Sequence, residues 1–345
     1  MIGAGVISRR LHVPSLEPCP GVEITGAADV DSVAARELGA PDYFTDYRKM
    51  LQRDQIDAVV IACPNNVHAD IATECLQAEK HVLCEKPLAM NAGETERMLR
   101  VAEGSGCVHM VAFTYTFCPA ARYLKHLIDR GDLGEILQIR ASYLMALMPH
   151  LLGWRSTREL AGSGVLGDVG SHLIQLVRLF GGEVEEVTAW QRKFRTDPES
   201  DVEDWMALIG KLASGAAATL EFSRICAGRG ADTTEEQTVE VYGTSGSAIF
   251  STQTPRSLKL GSAADHTALL EPVEVPAEFL RPEGSPHDPD EGEPKWNYRL
   301  NQGYHFIRNI WDGEARTPSF ADGHAVQRVM DAALRSCESG AWEKA

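Results

Sequence analysis

Short apolar runs alternate with amphipathic segments through the first third of the chain. Val22–Asp29, Asp57–Ala62, His81–Cys84 and Val108–Phe113 are rich in Val, Ile and Leu and read as buried strands. Between and before them, Ser8–Leu16, Ser32–Leu38, Asp46–Arg53, Ala69–Gln77 and Glu94–Glu103 carry helical patterns. Strands that alternate with such helices predict an α/β fold with a doubly wound parallel sheet. After Pro119 the pattern changes: a helix over Ala120–Arg130 leads into longer alternating strands at Ile136–Met145, Glu185–Phe194, Trp205–Leu212, Ala216–Ser223, Thr238–Tyr242 and Ala248–Ser251. Turn residues at 213–215 and 243–246 separate the later ones. They predict a large, mainly antiparallel open sheet, polar on one face or covered there by a partner subunit. The chain therefore divides into a first domain over residues 1–117 and a second domain over 118–345. The acidic, proline-rich stretch between Pro282 and Pro294 reads as a loop.

The 345 residues suffice for two cores, and 44% of them are apolar. No stretch approaches the roughly 18 uninterrupted apolar residues of a membrane span. A glycine turn beginning at Gly3 leaves no room for a signal peptide, so a soluble cytoplasmic protein is expected. With 33 basic against 49 acidic residues the net charge is −16, which argues against nucleic acid or an anionic membrane as partner. The eight cysteines form no C-x-x-C pair, so buried free thiols are expected, with no disulfide and no metal site.

Gly3-Ala4-Gly5-Val6-Ile7-Ser8 reads as G-x-G-x-x-G with serine in the third glycine's place. The two glycines let the backbone turn tightly and approach a pyrophosphate seated on the helix that follows. Asp29 ends the second strand 24 residues after Gly5, near the spacing at which a carboxylate reaches the adenosine ribose. That carboxylate disfavours a 2′-phosphate and points to NAD over NADP; the alternative is that Asp29 only caps the helix beginning at Ser32. Only Met1 and Ile2 precede the glycine turn, where a central strand should lie, so the reading favours a start upstream over an abnormally short strand.

His81-Val82-Leu83-Cys84-Glu85-Lys86-Pro87 delivers a Glu-Lys pair to the carboxyl end of a strand, where open parallel sheets bind ligands. Lys86 is thus a candidate for chemistry, against the alternative of an ordinary surface lysine. In the second half, Asp168 and His172 lie four residues apart in a helical pattern after a glycine-rich stretch, which puts both on one helix face. A carboxylate beside an imidazole suits proton transfer near neutral pH, though a capping aspartate and a core histidine would give the same spacing. Trp154-Arg155 could stack on and hydrogen-bond a sugar, and Tyr304 sits on a late helix that could reach the same cleft.

Gly3-Ala4-Gly5 with Val6-Ile7, Asp29, Pro64-Asn65 with His68, Glu85-Lys86-Pro87, and Gly167-Asp168 with Gly170 and His172 together resemble the Gfo/Idh/MocA family, named for glucose–fructose oxidoreductase, inositol dehydrogenase and rhizopine catabolism. The resemblance extends over nearly the whole chain. It implies an N-terminal Rossmann domain and a C-terminal α/β domain whose open sheet forms a homodimer or homotetramer interface. It also implies reversible hydride transfer between NAD(P) and a secondary hydroxyl of a sugar or cyclitol, in a cleft between the domains. Carried onto this chain, Lys86 would hydrogen-bond the reacting oxygen, Asp168 would position substrate and lysine, and His172 would act as general base. Gly3, Gly5, Val6, Ile7, Asp29, Cys63, Pro64, Asn65, His68, Glu85 and Lys86 would line the cofactor. Lys86, Tyr115, Trp154, Arg155, Asp168, His172 and Tyr304 would meet the substrate. A cis peptide is implied before Pro87. Thr116 stands where an arginine is frequent and Gln175 where an acid is frequent, so substrate choice is what departs from the pattern; other stretches lean toward pyranose-ring oxidation at C3. A redox-neutral glycosidase holding NAD, and a sensor without turnover, are the competing readings.

Overall fold

In a computed structural model, the structure describes residues 1–146, 153–229, 236–264 and 269–345. The chain forms two compact units. The first comprises residues 1–113, 282–288 and 299–324, and the second residues 114–281, 289–298 and 325–345. The first boundary falls close to the expected residue 117, but the contiguous 118–345 domain is not what forms: two late segments return to the first unit.

In the first unit, Gly26–Ala28 (β1) pairs with Asp42–Phe44 (β2), and Ala58–Ile61 (β3), His81–Cys84 (β4) and His109–Val111 (β5) follow in order, all parallel. Ile2 bridges Ala28 on one side and Ile61 on the other, so the sequence of neighbours is β2, β1, Ile2, β3, β4, β5. This is the doubly wound order with its switch point beside Ile2. The short central element is viable because its hydrogen bonds are complete: Ile2 N–H donates to Val60 and its carbonyl accepts from Ala62, while Gly3 N–H donates to Ala28. Of the expected Val22–Asp29 strand only its buried end, β1, pairs, because the residues before it lie at the surface.

The returning segments are held by close backbone approach. The Ser15 hydroxyl donates to the Leu300 carbonyl at 2.7 Å, and the Gly303 amide donates to that hydroxyl at 2.8 Å. Nε2 of His287 lies 2.9 Å from the Ser15 carbonyl. Farther along, the Pro318 carbonyl accepts from Val111 N–H, which extends the edge of β5. Nothing in the sequence's local periodicity marks these contacts, since their partners lie some 200 to 290 residues apart.

The second unit is built on Ile136–Leu144 (β6), Val184–Arg192 (β7), Trp205–Leu212 (β8), Ala217–Ser223 (β9), Glu236–Gly243 (β10), Gly246–Ser251 (β11), Ser257–Ser262 (β12), Glu271–Glu274 (β13) and Glu343–Lys344 (β14). Their order is β13-β12-β11-β10-β6-β9-β8-β7-β14, antiparallel throughout except for β6 against β9. The strands alternate as one-sided strands must. Ile139, Ala141, Leu220, Phe222, Val239 and Val241 are buried beneath the helix Ser171–Gly181, whose Leu173, Leu176, Val177 and Phe180 are buried too. The opposite face carries Arg140, Trp190, Ile209 and Glu221 outward. The last three strands were not legible because they are short and polar.

Gly303→Ala tests the first unit's return contact. A Cβ there would sit 2.1 Å from the Ser15 hydroxyl and 2.9 Å from its carbonyl. The variant should lose about 1–3 kcal/mol of stability, read as a lowered thermal midpoint; an unchanged midpoint would show that this approach is not needed.

Candidate active site

Candidate residues fall in both units. In the first, Ile2 runs directly into the glycine turn. Gly3 has φ +89°, and a Cβ there would lie 2.5 Å from the Ala62 carbonyl oxygen, so glycine is required by the protein itself. Around Gly5, by contrast, a Cβ would meet no atom within 4 Å. Ser8 is fully buried and its hydroxyl donates to the Gly3 carbonyl at 2.6 Å, which accounts for serine in the third glycine's place. It opens a π-helical turn, Ser8–His12, that continues as the α-helix Val13–Leu16, where one α-helix was expected. Val6 stands 72% exposed at the turn's rim and Ile7 is half-buried.

The two oxygens of Asp29 accept from the Ala4 amide at 2.7 Å and the Asp31 amide at 2.9 Å. This fixes an acceptor-only carboxylate beside the glycine turn. Asp31, not Asp29, is the N-cap of the helix Ser32–Glu37. Such a set fits an adenosine ribose diol and a pyrophosphate: open space over Gly5, and acceptors where hydroxyls would donate.

Glu85 follows β4. Its Oε1 lies 2.9 Å from Nε2 of His12, and its Oε2 accepts the Lys86 amide at 3.2 Å. Burial pushes this carboxyl up, but the His12 hydrogen bond and charge, with Lys86, outweigh it and hold Glu85 below its usual range. The Lys86–Pro87 peptide is cis. His68, expected to line the cofactor, has no exposed surface: Nδ1 faces the Pro87 carbonyl and Nε2 the Cys63 carbonyl, each at 3.0 Å. It fastens the Cys63-Pro64-Asn65 turn to the lysine's strand end instead. Burial lowers its pKa, opposed by those two carbonyls and by Glu85. Tyr304, expected at the substrate, is also buried, and its hydroxyl donates to the Glu283 carbonyl at 3.0 Å.

In the second unit, Asp168 lies on a π-helical turn, Leu166–Gly170, that runs into the helix Ser171–Gly181 carrying His172. The α-helical spacing expected for this pair is thus interrupted by a π turn, a feature frequent at functional sites. Glu203 builds that turn: its Oε1 accepts from the Gly164 and Leu166 amides at 2.8 and 3.0 Å. A Cβ on Gly164 would meet the Glu203 carbonyl at 2.0 Å, which explains the glycine-rich approach. Asp168 itself pairs with Arg155 Nε at 3.5 Å and with Arg224 Nη1 at 3.6 Å. Arg224 is buried, and burial draws its pKa down against Asp168, Glu203 and Asp204.

Arg155, expected at the substrate, also stacks over Trp154 at 4.3 Å. His172 is 6% exposed and meets Tyr115 edge-on, with centroids 4.6 Å apart and planes at 90°. Tyr115, at 2% exposure, shares a 2.8 Å hydrogen bond with the Tyr143 hydroxyl, so it sets the imidazole rather than facing a ligand. Gln175 is buried and accepts from Arg178 at 2.8 Å. Sequence reasoning missed His12, Glu203 and Arg224; no spacing links them to the motifs they support. Among the described residues, no group of three or more His, Cys, Asp or Glu side chains could hold a metal, and no helix is long and apolar enough to cross a membrane.

Residues 1–113 match the model of an oxidoreductase family with an NAD-binding Rossmann fold, and residues 121–249 match the GFO/IDH/MocA C-terminal domain. Levoglucosan dehydrogenase of Pseudarthrobacter phenanthrenivorans is 32% identical over 340 residues, covering 90% of this chain and 85% of that protein. The chain belongs to the Gfo/Idh/MocA family. It is an oxidoreductase with an NAD-binding Rossmann domain. A solved structure of levoglucosan dehydrogenase in complex with NADH superposes with a TM-score of 0.90 at 30% identity, over 99% of this chain and 97% of that one. D-xylose 1-dehydrogenase (NADP(+)) 2 of Haloferax volcanii is 29% identical, covering 90% of this chain and 87% of that protein.

The two glycines separate by their causes. Gly3→Ala should cost about 2 kcal/mol or more in stability, because it adds left-handed strain to a backbone clash. Gly5→Ala should leave stability within about 0.5 kcal/mol but weaken NAD binding about tenfold or more, read by calorimetry. Unimpaired NAD affinity in Gly5→Ala would refute the pyrophosphate assignment.

Proposed function

We propose that the protein oxidises a secondary hydroxyl of a pyranose sugar, an anhydrosugar or glycoside, at C3, with NAD as coenzyme. The observation that carries this is His172: an imidazole almost fully buried and set edge-on by Tyr115, one turn after Asp168, in a chain 32% identical to a levoglucosan dehydrogenase. The glycine turn, Asp29, the Cys63-Pro64-Asn65 turn and Glu85 are the residues that would hold NAD. When bound, NAD supplies the acceptor for the hydride leaving the carbinol carbon. Asp29 would repel a 2′-phosphate, which favours NAD over NADP.

Hydride leaves carbon readily only as the hydroxyl proton departs. His172 is the base that takes that proton at a ring nitrogen. Lys86 donates a hydrogen bond to the same oxygen and offsets the negative charge that develops there. Asp168, braced by Arg155 and Arg224, orients the substrate and the lysine. Trp154 and Thr116 are the side chains left to discriminate among sugars.

NADH absorbance on mixing the protein with NAD and a panel of anhydrosugars, hexoses, glycosides and inositols, with NADP in parallel, tests the reading. Steady NADH from a pyranose supports it and excludes a redox-neutral glycosidase. Faster turnover with NADP would overturn the role of Asp29. Lys86→Ala and His172→Ala should each lower kcat by roughly 10²–10⁴-fold while NAD binding survives, and retained turnover in both would sink the mechanism.

The outward face of the large sheet supports a homodimer or homotetramer. Trp190 and Ile209 are 58% and 48% exposed, and Trp190 packs edge-on against Trp205 at 5.3 Å. Light scattering should give two or four times the 37.7 kDa chain mass, and Trp190→Glu with Ile209→Lys should dissociate it. A monomeric native protein would refute this assembly.

A further inference from the structure

We propose that His12 is a positioning residue for Lys86, acting through the carboxylate of Glu85. The inference rests on the assignment of Lys86 to the reacting oxygen and names what holds it there. His12 sits on the π turn after the coenzyme-binding glycines, fully buried, with Nε2 2.9 Å from Glu85 Oε1. A carboxylate only accepts, so Nε2 carries the hydrogen. The other carboxylate oxygen accepts the amide of Lys86. One side chain therefore straps the peptide that presents the lysine, and the strap is anchored 73 residues away, on the coenzyme turn.

His12 has two further traits of a functional part. It is a buried polar group on a segment whose neighbours, Leu11 and Leu16, are buried apolar side chains. Its Nδ1 is buried and makes no hydrogen bond among the described residues, so its burial is offset only through Glu85. The titratable and charged groups facing Glu85 among the described residues are His12 from the turn, Cys84 and Lys86 from its own strand end, and His68 from the helix His68–Gln77. His12 hydrogen-bonds the Glu85 side chain directly. Removing His12 takes away the largest influence that lowers the Glu85 pKa, so Glu85 would take up a proton at higher pH. Below that pH the strap would lose its charge.

The test uses the full chain with His12→Leu, His12→Gln, Glu85→Gln, and His12→Leu combined with Glu85→Gln. His12→Leu should lower kcat about tenfold or more and leave KM and NAD affinity within about threefold. It should also move the acid limb of the kcat profile to higher pH. His12→Gln, whose amide can reproduce the Nε2 donor, should restore kcat to within about threefold and return the limb. In the Glu85→Gln background, His12→Leu should change kcat less than about twofold.

Labelling of Lys86 by acetic anhydride across pH, read by peptide mass, needs no turnover and separates this inference from the dehydrogenase reading. Lys86 labelling altered about threefold or more in His12→Leu and restored in His12→Gln supports the inference even if no sugar is oxidised. If His12→Leu fails to fold, Glu85→Gln with its double variant and His12→Gln carry the comparison. Labelling and kcat profiles of folded His12→Leu that superimpose on the native protein, or an equal loss in His12→Gln, would overturn it.

Discussion

A carboxylate withdrawn from water must be met where it sits, and removing one member of a buried charged pair costs on the order of 3–5 kcal/mol. Three such carboxylates hold candidate residues in place, Glu85 in the first unit and Glu203 and Asp168 in the second. Glu85 is met by His12 and by the amide of Lys86. Glu203 is met by the amides of Gly164 and Leu166, and Asp168 by two guanidinium groups. Each match joins segments remote in sequence, so each also fixes the direction of a chemical group. The conditions that make these acids affordable in the interior are the ones that aim Lys86 and Asp168.

Glycines near the site answer to different constraints. Gly3 and Gly164 are demanded by the protein, since a Cβ would strike the Ala62 and Glu203 carbonyls. Gly5 is demanded by nothing in the chain. A glycine that the fold does not need, beside a fixed carboxylate acceptor, is what a closely approaching ligand would require. The two π turns, Ser8–His12 and Leu166–Gly170, fall on the segments bearing His12 and Asp168. Each inserts a residue into a helix start, where it changes the direction of a side chain without changing the chain's course.

Histidines and tyrosines were the residues whose roles moved most. The family resemblance grouped His68, Tyr115 and Tyr304 with the ligand contacts. All three prove to be almost wholly buried, with their polar atoms on carbonyls or on a neighbouring hydroxyl. Burial is a property of the packed neighbourhood, and one chain segment carries no record of it.

The parallel character of the first sheet, the glycine turn, Asp29 and the strand end bearing Lys86 were legible in the sequence, as were six strands of the second sheet, whereas the short strand Asp42–Phe44 was not. Period and spacing are local, and strands, helices and tight turns are set mainly by the residues they contain. Tertiary structure alone decided that segments 282–288 and 299–324 return to the first unit, that His12 meets Glu85, and that Arg224 and Glu203 brace the turn of Asp168. Those outcomes depend on which buried polar groups find each other across about 40 to 290 residues of chain. Only the folded packing, with its demand that every buried polar group be matched, selects among such pairings.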